Sequence, residues 1–334
     1  MKYQNLGTSG IEVSRVAFGA WQIGGGTAWD CTDDSACDRI VSALPDMGIN
    51  FIDTAKVYGT GRSEMLLGKA LKGKRHDFIL SSKGGMNWRD GEGERFCYNR
   101  DGQTVYQNTS AKALRLDLEE SLTRLDTDYL DVYFTHRQPI TVPIEETMGA
   151  LMKFKEEGKI RAIGISNATI PQLEEYLKYG KVDVVQEKFS LFDRGTVRQY
   201  IEFCKDHDVT FQAYSVLERG ILTGKFSRET EVHEGQGAYS MLWYARDRRE
   251  AVMGLIDKIQ LIADECETAI PVVAMAYALC TGEHINAICG GRRPEHIAQS
   301  ALGADLALTQ DQIQRIDSAV DALHEEFGCS THKF

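Results

Sequence analysis

Four residues of this 334-residue chain, Asp53, Tyr58, Lys83 and His136, are of the types that together could deliver a proton to an oxygen atom. Reduction of a carbonyl by hydride leaves negative charge on its oxygen, and a proton must follow. An unperturbed tyrosine, with a pKa of about 10, releases its proton reluctantly. A buried lysine ammonium beside the phenol favours phenolate and lowers that value. A carboxylate paired with the lysine keeps it charged and in place. A histidine within reach can hydrogen-bond the carbonyl oxygen and orient it. Singly these signals are weak. An Asp-Thr pair such as Asp53-Thr54 ends many strands, and the tyrosine of Val57-Tyr58-Gly59 reads equally well as a packed loop aromatic.

What could unite them is the architecture. Short apolar runs alternate with longer amphipathic segments, the pattern of parallel βα units. The runs predict strands over Val16-Gly19, Asn50-Ala55, Phe78-Lys83, Tyr129-His136, Ile160-Ser166, Asp183-Phe189, Thr210-Val216 and Ile285-Gly290. Eight parallel strands close a barrel, and all four residues fall at or just past strand C-terminal ends, the face on which barrel active sites are built. Helices are predicted over Asp33-Met47, Ser63-Leu71, Ser110-Leu125, Pro143-Glu157, Thr169-Lys178, Thr196-His207, Glu250-Glu267 with Val272-Leu279, and Pro294-Leu302. Thr32 and Ser110 suit N-caps, Pro143 and Pro294 suit first turns, and Gly48 and Gly158 suit helix ends. The expected fold is an α/β (β/α)₈ barrel occupying residues 1–334 as one domain, with Lys2-Val13 forming a hairpin over the barrel floor through a turn at Thr8-Ser9-Gly10.

Two long stretches, Gly84-Thr109 and Phe226-Arg249, break the alternation and follow strand C-termini. Loops of that length in a compact domain are commonly functional, so they are read as substrate-pocket walls. Trp21, Trp29, Trp88, Phe96 and Trp243 are candidate apolar surfaces there.

Composition narrows the partners. The net charge is −11, with charges of both signs interspersed, which argues against nucleic acid or an anionic membrane as partner. An anionic ligand therefore needs a local basic site. The N-terminus lacks a signal-peptide core, and no window approaches the roughly 18 apolar residues of a membrane span. The eight cysteines, at 31, 37, 97, 204, 266, 280, 289 and 329, include no C-x-x-C pair and read as reduced thiols. The expected location is cytoplasmic. Whether the chain is a monomer or a homo-oligomer is open.

Competing classes lack their signatures. A Rossmann dehydrogenase needs G-x-G-x-x-G between a strand and a helix, a pattern that Gly59-Thr60-Gly61-Arg62-Ser63-Glu64 breaks and that Gly24-Gly25-Gly26 leaves without a helix at the right distance. A metal-dependent barrel hydrolase needs a ligand cluster, and the eight histidines contain neither H-x-H nor H-E-x-x-H. No metal is expected.

Phe51-Ile52-Asp53-Thr54-Ala55-Lys56-Val57-Tyr58-Gly59, then Ser81-Ser82-Lys83, then Asp131 through His136 resemble the Asp, Tyr, Lys, His tetrad of the aldo-keto reductases in type, order and strand context. The likeness runs the whole length. It takes in Leu6-Gly7 with Ser9-Gly10, Phe18-Gly19 with Trp21, Gly158 through Asn167, Asp183 through Gln186, Ala213-Tyr214-Ser215 with Leu217, Gly220 with Leu222, Gly224-Lys225, and Gly290-Gly291-Arg292-Arg293-Pro294-Glu295. The pattern is nearest to bacterial members of the inositol-operon and general aldehyde reductase type.

The resemblance implies a nicotinamide cofactor. Ser166, Asn167 and Gln186 would hold its carboxamide, and Tyr214 would stack on its ring. Ser215, Leu217 and Gly220 to Lys225 would form the pyrophosphate loop, and Gly19 and Trp21 would line the same cleft. Gly290, Gly291 and Arg292, opening a helix at Pro294, suit a phosphate monoester, which favours NADPH while leaving NADH open. His296, Gln299 and Ser300 stand where the family commonly has Gln, Glu and Asn at the adenosine end, so cofactor preference is less secure than cofactor class. Bland readings remain: Ser166-Asn167 could cap the next helix, and Lys225 and the arginines could be solvated. After the histidine, His136-Arg137-Gln138-Pro139 departs from the aromatic residue and nearby Asp of related sugar and aldehyde reductases. Arg137 beside the reacting carbonyl would favour a polar, sugar-like or anionic substrate. An arginine turned outward to Glu145 or Glu146 is the bland reading. The implied activity is carbonyl reduction. The alternatives are a nicotinamide-binding sensor or accessory subunit with slow chemistry, and an aldose dehydrogenase working in the oxidative direction.

Overall fold

In the computed structural model, residues 26–28, 30–32, 99–101, 195–196, 232–241 and 329–334 lie outside the described residues. Thr32, Thr196, Cys31, Cys329 and part of the second long loop fall there. The barrel strands are β1 (Val16–Gly19), β2 (Phe51–Asp53), β3 (Ile79–Gly84), β4 (Leu130–Thr135), β5 (Ile160–Ser166), β6 (Val184–Lys188), β7 (Thr210–Tyr214) and β8 (Ile285–Gly290). They pair in parallel around a closed ring, β8 with β1 and β4 with β5. Largely buried strands read as runs dominated by apolar residues; β1, β5 and β8 have the bounds the sequence predicts, and the others differ by one or two residues.

Tyr3–Asn5 and Glu12–Ser14 form the expected antiparallel hairpin. Leu6, Ile11 and Val13 are buried against Ala17, Phe51, Val132, Phe134, Ala162 and Val184, sealing the barrel floor with apolar side chains. Gly7 makes the seal possible: its φ is +53°, and a Cβ there would lie 2.4 Å from the Asp183 carbonyl oxygen. Its N–H donates to Thr210 Oγ1 at 2.7 Å.

The helical segments alternate with the strands as expected. Ser110 caps Ala111–Leu125 through the Ala113 N–H, and Thr169 with Gln172 forms a capping box on Ile170–Tyr179. Pro143 is itself the N-cap of Ile144–Glu156, and Pro294 begins Pro294–Ala301. Two helices were not anticipated, Trp21–Gly24 and Gln310–Phe327. The second packs His324 on Trp243 at 5.7 Å, and Trp243 contacts Phe192 at 5.4 Å. Trp243 is therefore fully buried beneath the C-terminal helix and is not a pocket wall. The first long loop is ordered as a three-stranded antiparallel sheet, Met86–Asn87, Thr104–Gln107 and Glu94–Tyr98. Among the described residues no helix is long and apolar enough to cross a membrane, and no group of three acidic, His or Cys side chains could hold a metal ion.

Candidate active site

The barrel gathers the four separated residues at one rim. Asp53 ends β2, Lys83 lies in β3, His136 follows β4, and Tyr58 stands on the turn after β2. Lys83 Nζ donates to both Asp53 oxygens, at 2.7 and 2.8 Å, to the Thr54 carbonyl at 3.0 Å and to Tyr58 Oη at 3.3 Å. The His136 ring meets the Tyr58 ring edge-on at 6.0 Å. Asp53 also accepts from Ser81 Oγ at 3.1 Å and Gln186 Nε2 at 3.0 Å. A carboxylate with that many donors is held in one orientation.

Close backbone approach sets the tyrosine turn. Gly59 has φ +60°, and a Cβ on it would fall 2.0 Å from the Gly24 carbonyl oxygen. Only glycine lets the Tyr58 turn lie against the Trp21–Gly24 helix. Ser63 Oγ ties the same region to the Ala20 carbonyl at 2.9 Å and to Thr54 Oγ1 at 2.8 Å. Trp21 then lies 6.0 Å from Tyr58, and Trp29 stands edge-on to Trp21 at 5.6 Å.

The electrostatics differ from the simple expectation for the phenol. Desolvation, followed by the Asp53 charge, pushes Tyr58 well above its ordinary value of 10. Lys83 does not reverse this, because its ammonium is already neutralised by Asp53, and burial pulls its own pKa down against the pull of Asp53. Tyr58 is a phenol that keeps its proton. Burial, then the Lys83 and Arg137 charges, hold His136 well below 6.5 and therefore neutral. Its buried Nδ1 has no hydrogen-bond partner.

The residues expected at a nicotinamide converge on the same rim. Asn167, in the left-handed conformation at φ +54°, donates through Nδ2 to the His136 carbonyl at 3.0 Å and to Ser166 Oγ at 2.9 Å. Tyr214 Oη donates to Asn167 Oδ1 at 2.7 Å. The helix cap is Thr169 rather than Ser166 or Asn167, which leaves this pair to the rim. After β7, Ser215, Glu218, Arg219 and Gly220 all have positive φ. The turn is tight: the Glu218 N–H donates to the Ser215 carbonyl at 2.8 Å and the Gly220 N–H to the Leu217 carbonyl at 3.0 Å. Buried Glu218 fixes the loop from beneath, paired with Lys188 at 2.9 Å and accepting from Ser190 Oγ at 2.5 Å. Arg219, which the sequence reading passed over, lays its guanidinium over the Trp21 ring at 4.9 Å, linking the loops after β1 and β7. These groups fit a nicotinamide dinucleotide: an aromatic face, with amides at one end and a tight turn after β7 at the other.

Farther along, Gly19 and Gly290 are register partners on β1 and β8, and a Cβ on Gly290 would press Gln22 Oε1 at 2.9 Å. A Cβ on Gly291 would meet Ile297 Cγ1 at 2.7 Å. Lys225 Nζ lies 3.0 Å from His296 Nε2, and burial, then the Lys225, Arg293 and Arg292 charges, hold the His296 pKa down against Glu295. Arg292 and Gln299 are exposed. Ser300 is 3% exposed and donates to its own helix at the His296 carbonyl, 2.9 Å away, so it faces inward. The Trp88 ring covers the Lys56 ammonium at 5.0 Å, and Lys56 pairs with Asp117 and Glu120 at 2.6 and 2.8 Å. Arg137 is partly buried, with its guanidinium over Phe96 at 5.3 Å.

Comparison with known proteins agrees with this geometry. The sequence profile of the Aldo/keto reductase family matches residues 15–321. The NADH-specific methylglyoxal reductase of Escherichia coli is 34% identical over 329 residues, covering 97% of this chain and 99% of that protein. The aldo-keto reductase YhdN of Bacillus subtilis is 36% identical over 231 residues, covering 69% of this chain and 66% of that one. The solved glycerol dehydrogenase of Gluconobacter oxydans superimposes with a TM-score of 0.85 at 28% identity, over 97% of this chain and 95% of its own. The family profile over nearly the whole chain and the whole-length relatives show that this chain belongs to the aldo/keto reductase family, oxidoreductases that use nicotinamide cofactors on carbonyl substrates.

Proposed function

We propose that this protein reduces an aldehyde or ketone to the alcohol with NADPH, using Tyr58 as the general acid. The observation that carries the reading is the contact of Lys83 with both Asp53 and Tyr58, at 2.7 and 3.3 Å. When bound, the cofactor supplies the hydride. The chain's own residues manage the charge that follows. Tyr58 keeps its proton until an adjacent oxygen becomes negative enough to take it, and Lys83 then stabilises the phenolate that remains. Neutral His136 orients the carbonyl oxygen without competing for the proton. Ser166, Asn167, Gln186 and Tyr214 hold the nicotinamide end, and Ser215, Leu217 and the loop from Gly220 to Lys225 hold the pyrophosphate.

The cluster of Lys225, Arg292 and His296 at the start of the Pro294–Ala301 helix supports NADPH. NADH is the competitor, since a relative sharing 34% identity is NADH-specific. Arg137 supports a polar substrate, sugar-like or bearing an anionic group.

Fluorescence titration with NADPH and NADH, followed by turnover of an aldehyde panel by wild type and Tyr58→Phe, tests the reading. The expected result is undiminished cofactor binding by Tyr58→Phe with turnover lowered by about 100-fold or more. Turnover equal to wild type overturns Tyr58 as the acid. Binding without turnover in wild type makes the protein a nicotinamide sensor or accessory subunit instead.

A further inference from the structure

Four polar side chains occupy one row of the barrel wall. Strand pairing sets Ser166 beside Gln186, Gln186 beside Gln212, and Gln212 beside Asn286. Gln186, Gln212 and Asn286 are 3%, 0% and 0% exposed. Gln186 on β6 reaches Asp53 on β2, strands that are not neighbours in the sheet, so the row faces the barrel interior.

The amide orientations in this row follow from its two ends. Asn286 Nδ2 donates to the Ser14 carbonyl at 2.7 Å. A backbone carbonyl only accepts, so the Asn286 oxygen must face the other way, where it accepts from Gln212 Nε2 at 2.8 Å. That turns the Gln212 oxygen toward Gln186 Nε2, at 2.6 Å. The same Nε2 donates to Asp53 Oδ2 at 3.0 Å, and a carboxylate also only accepts. Reversing any one amide would set oxygen against oxygen in a buried site, which is strongly disfavoured. Both N–H groups of Gln186 are thereby used, and its Oε1 is the single atom of that amide left to meet a ligand.

From this arrangement we infer that Gln212 and Asn286 are positioning residues for cofactor recognition. Together with Asp53 they hold both N–H groups of Gln186, so that it offers only an acceptor, making the site selective for a pyridine ring whose substituent donates a hydrogen bond. This rests on the nicotinamide reading above. It assigns selectivity to two residues that touch neither cofactor nor substrate. The row also supplies Asp53 with a fixed donor from the side opposite Lys83.

The test compares binding of NADPH with that of its 3-acetylpyridine analogue, whose acetyl group accepts hydrogen bonds but donates none, by fluorescence titration. One neutral hydrogen bond in this setting corresponds to a preference of about fivefold for NADPH in wild type. In Gln212→Met, which preserves volume but removes one of the two acceptors that hold the Gln186 N–H groups, so that Asp53 alone orients the amide, the preference is expected to fall to about twofold or less. Asn286→Leu keeps Gln212 but removes the acceptor that holds its N–H group, and a smaller fall in the same direction is expected. Thermal melting identifies which variants are folded, and either one suffices. A folded variant that keeps the wild-type preference overturns the inference, as does a wild type that prefers the acetyl analogue. If wild type binds neither dinucleotide, the cofactor reading itself fails and this inference with it, an outcome distinct from binding both without preference.

Discussion

Lys83 Nζ lies 2.7 and 2.8 Å from the two carboxylate oxygens of Asp53, both residues being almost completely buried. The pairing is what allows an ammonium to persist in the barrel. Burial alone pulls the Lys83 pKa down, and the Asp53 charge is the largest opposing influence. Asp53→Asn leaves a buried cation without its counter-charge. The expected outcome is a loss of about 3 kcal/mol in chemical denaturation and a fall in turnover of about 100-fold, with cofactor binding retained. A variant of wild-type stability and turnover would show that the pair is dispensable.

The pH dependence of activity follows from two shifts in opposite directions. Tyr58 is pushed well above 10 by burial and Asp53, so the acid stays protonated far into the alkaline range. His136 is pulled well below 6.5 by burial and its cationic neighbours, so it does not titrate near neutrality. The expected kcat/KM for carbonyl reduction is level between about pH 6.5 and pH 9. A decline setting in below about pH 8 would mean that Lys83 lowers the phenol after all.

The sequence carried the barrel well because its strands are largely buried, so β1, β5 and β8 appear as runs dominated by apolar residues. The tetrad was legible for a related reason, since the ends of such runs mark the rim. Orientation and burial inside the barrel were not legible. Trp243 and Ser300 resemble surface residues until the helices Gln310–Phe327 and Pro294–Ala301 are packed, and Gln212 and Asn286 look like ordinary polar interruptions in a strand. The ammonium that would acidify the phenol is shared with Asp53, a competition visible only in three dimensions. The Gly24–Gly59 contact that seats Tyr58 joins segments whose pairing no local pattern announces.

Glu187 offers a stability test. Burial raises its carboxyl to about 8, opposed by the Ala168 N–H, the Arg137 charge and the Asn167 N–H. The unfolded chain ionises this group near its ordinary value of 4.5, whereas the folded chain holds the proton until about pH 8. Between those values the folded state carries more protons, so stability contributed at this position falls as pH rises, and the fall ends above the folded value. Glu187→Gln removes the titration. The expected result is a variant whose stability relative to wild type increases steadily from about pH 5 to pH 8 and then levels off. A difference independent of pH in denaturant titrations would place an ordinary carboxylate at this site.

Arg137 bears on substrate choice. Its charge is felt at three groups of the rim: it lowers the pKa of His136, and it opposes the upward shifts of Glu187 and Tyr214. A positive field at the carbonyl-orienting histidine stabilises a negative substituent carried near the reacting carbon, and the Phe96 face beneath the guanidinium at 5.3 Å holds the side chain across the site. Neutral aldehydes gain nothing from that field. Arg137→Ala is therefore expected to lower kcat/KM for an aldehyde bearing a carboxylate or phosphate by about tenfold or more, while changing a neutral aldehyde of equal length by no more than about threefold. Raised salt should weaken the charged substrate's advantage in wild type and leave the variant unaffected. Equal losses for the two substrates would instead make Arg137 a packing residue that supports the loop after β4.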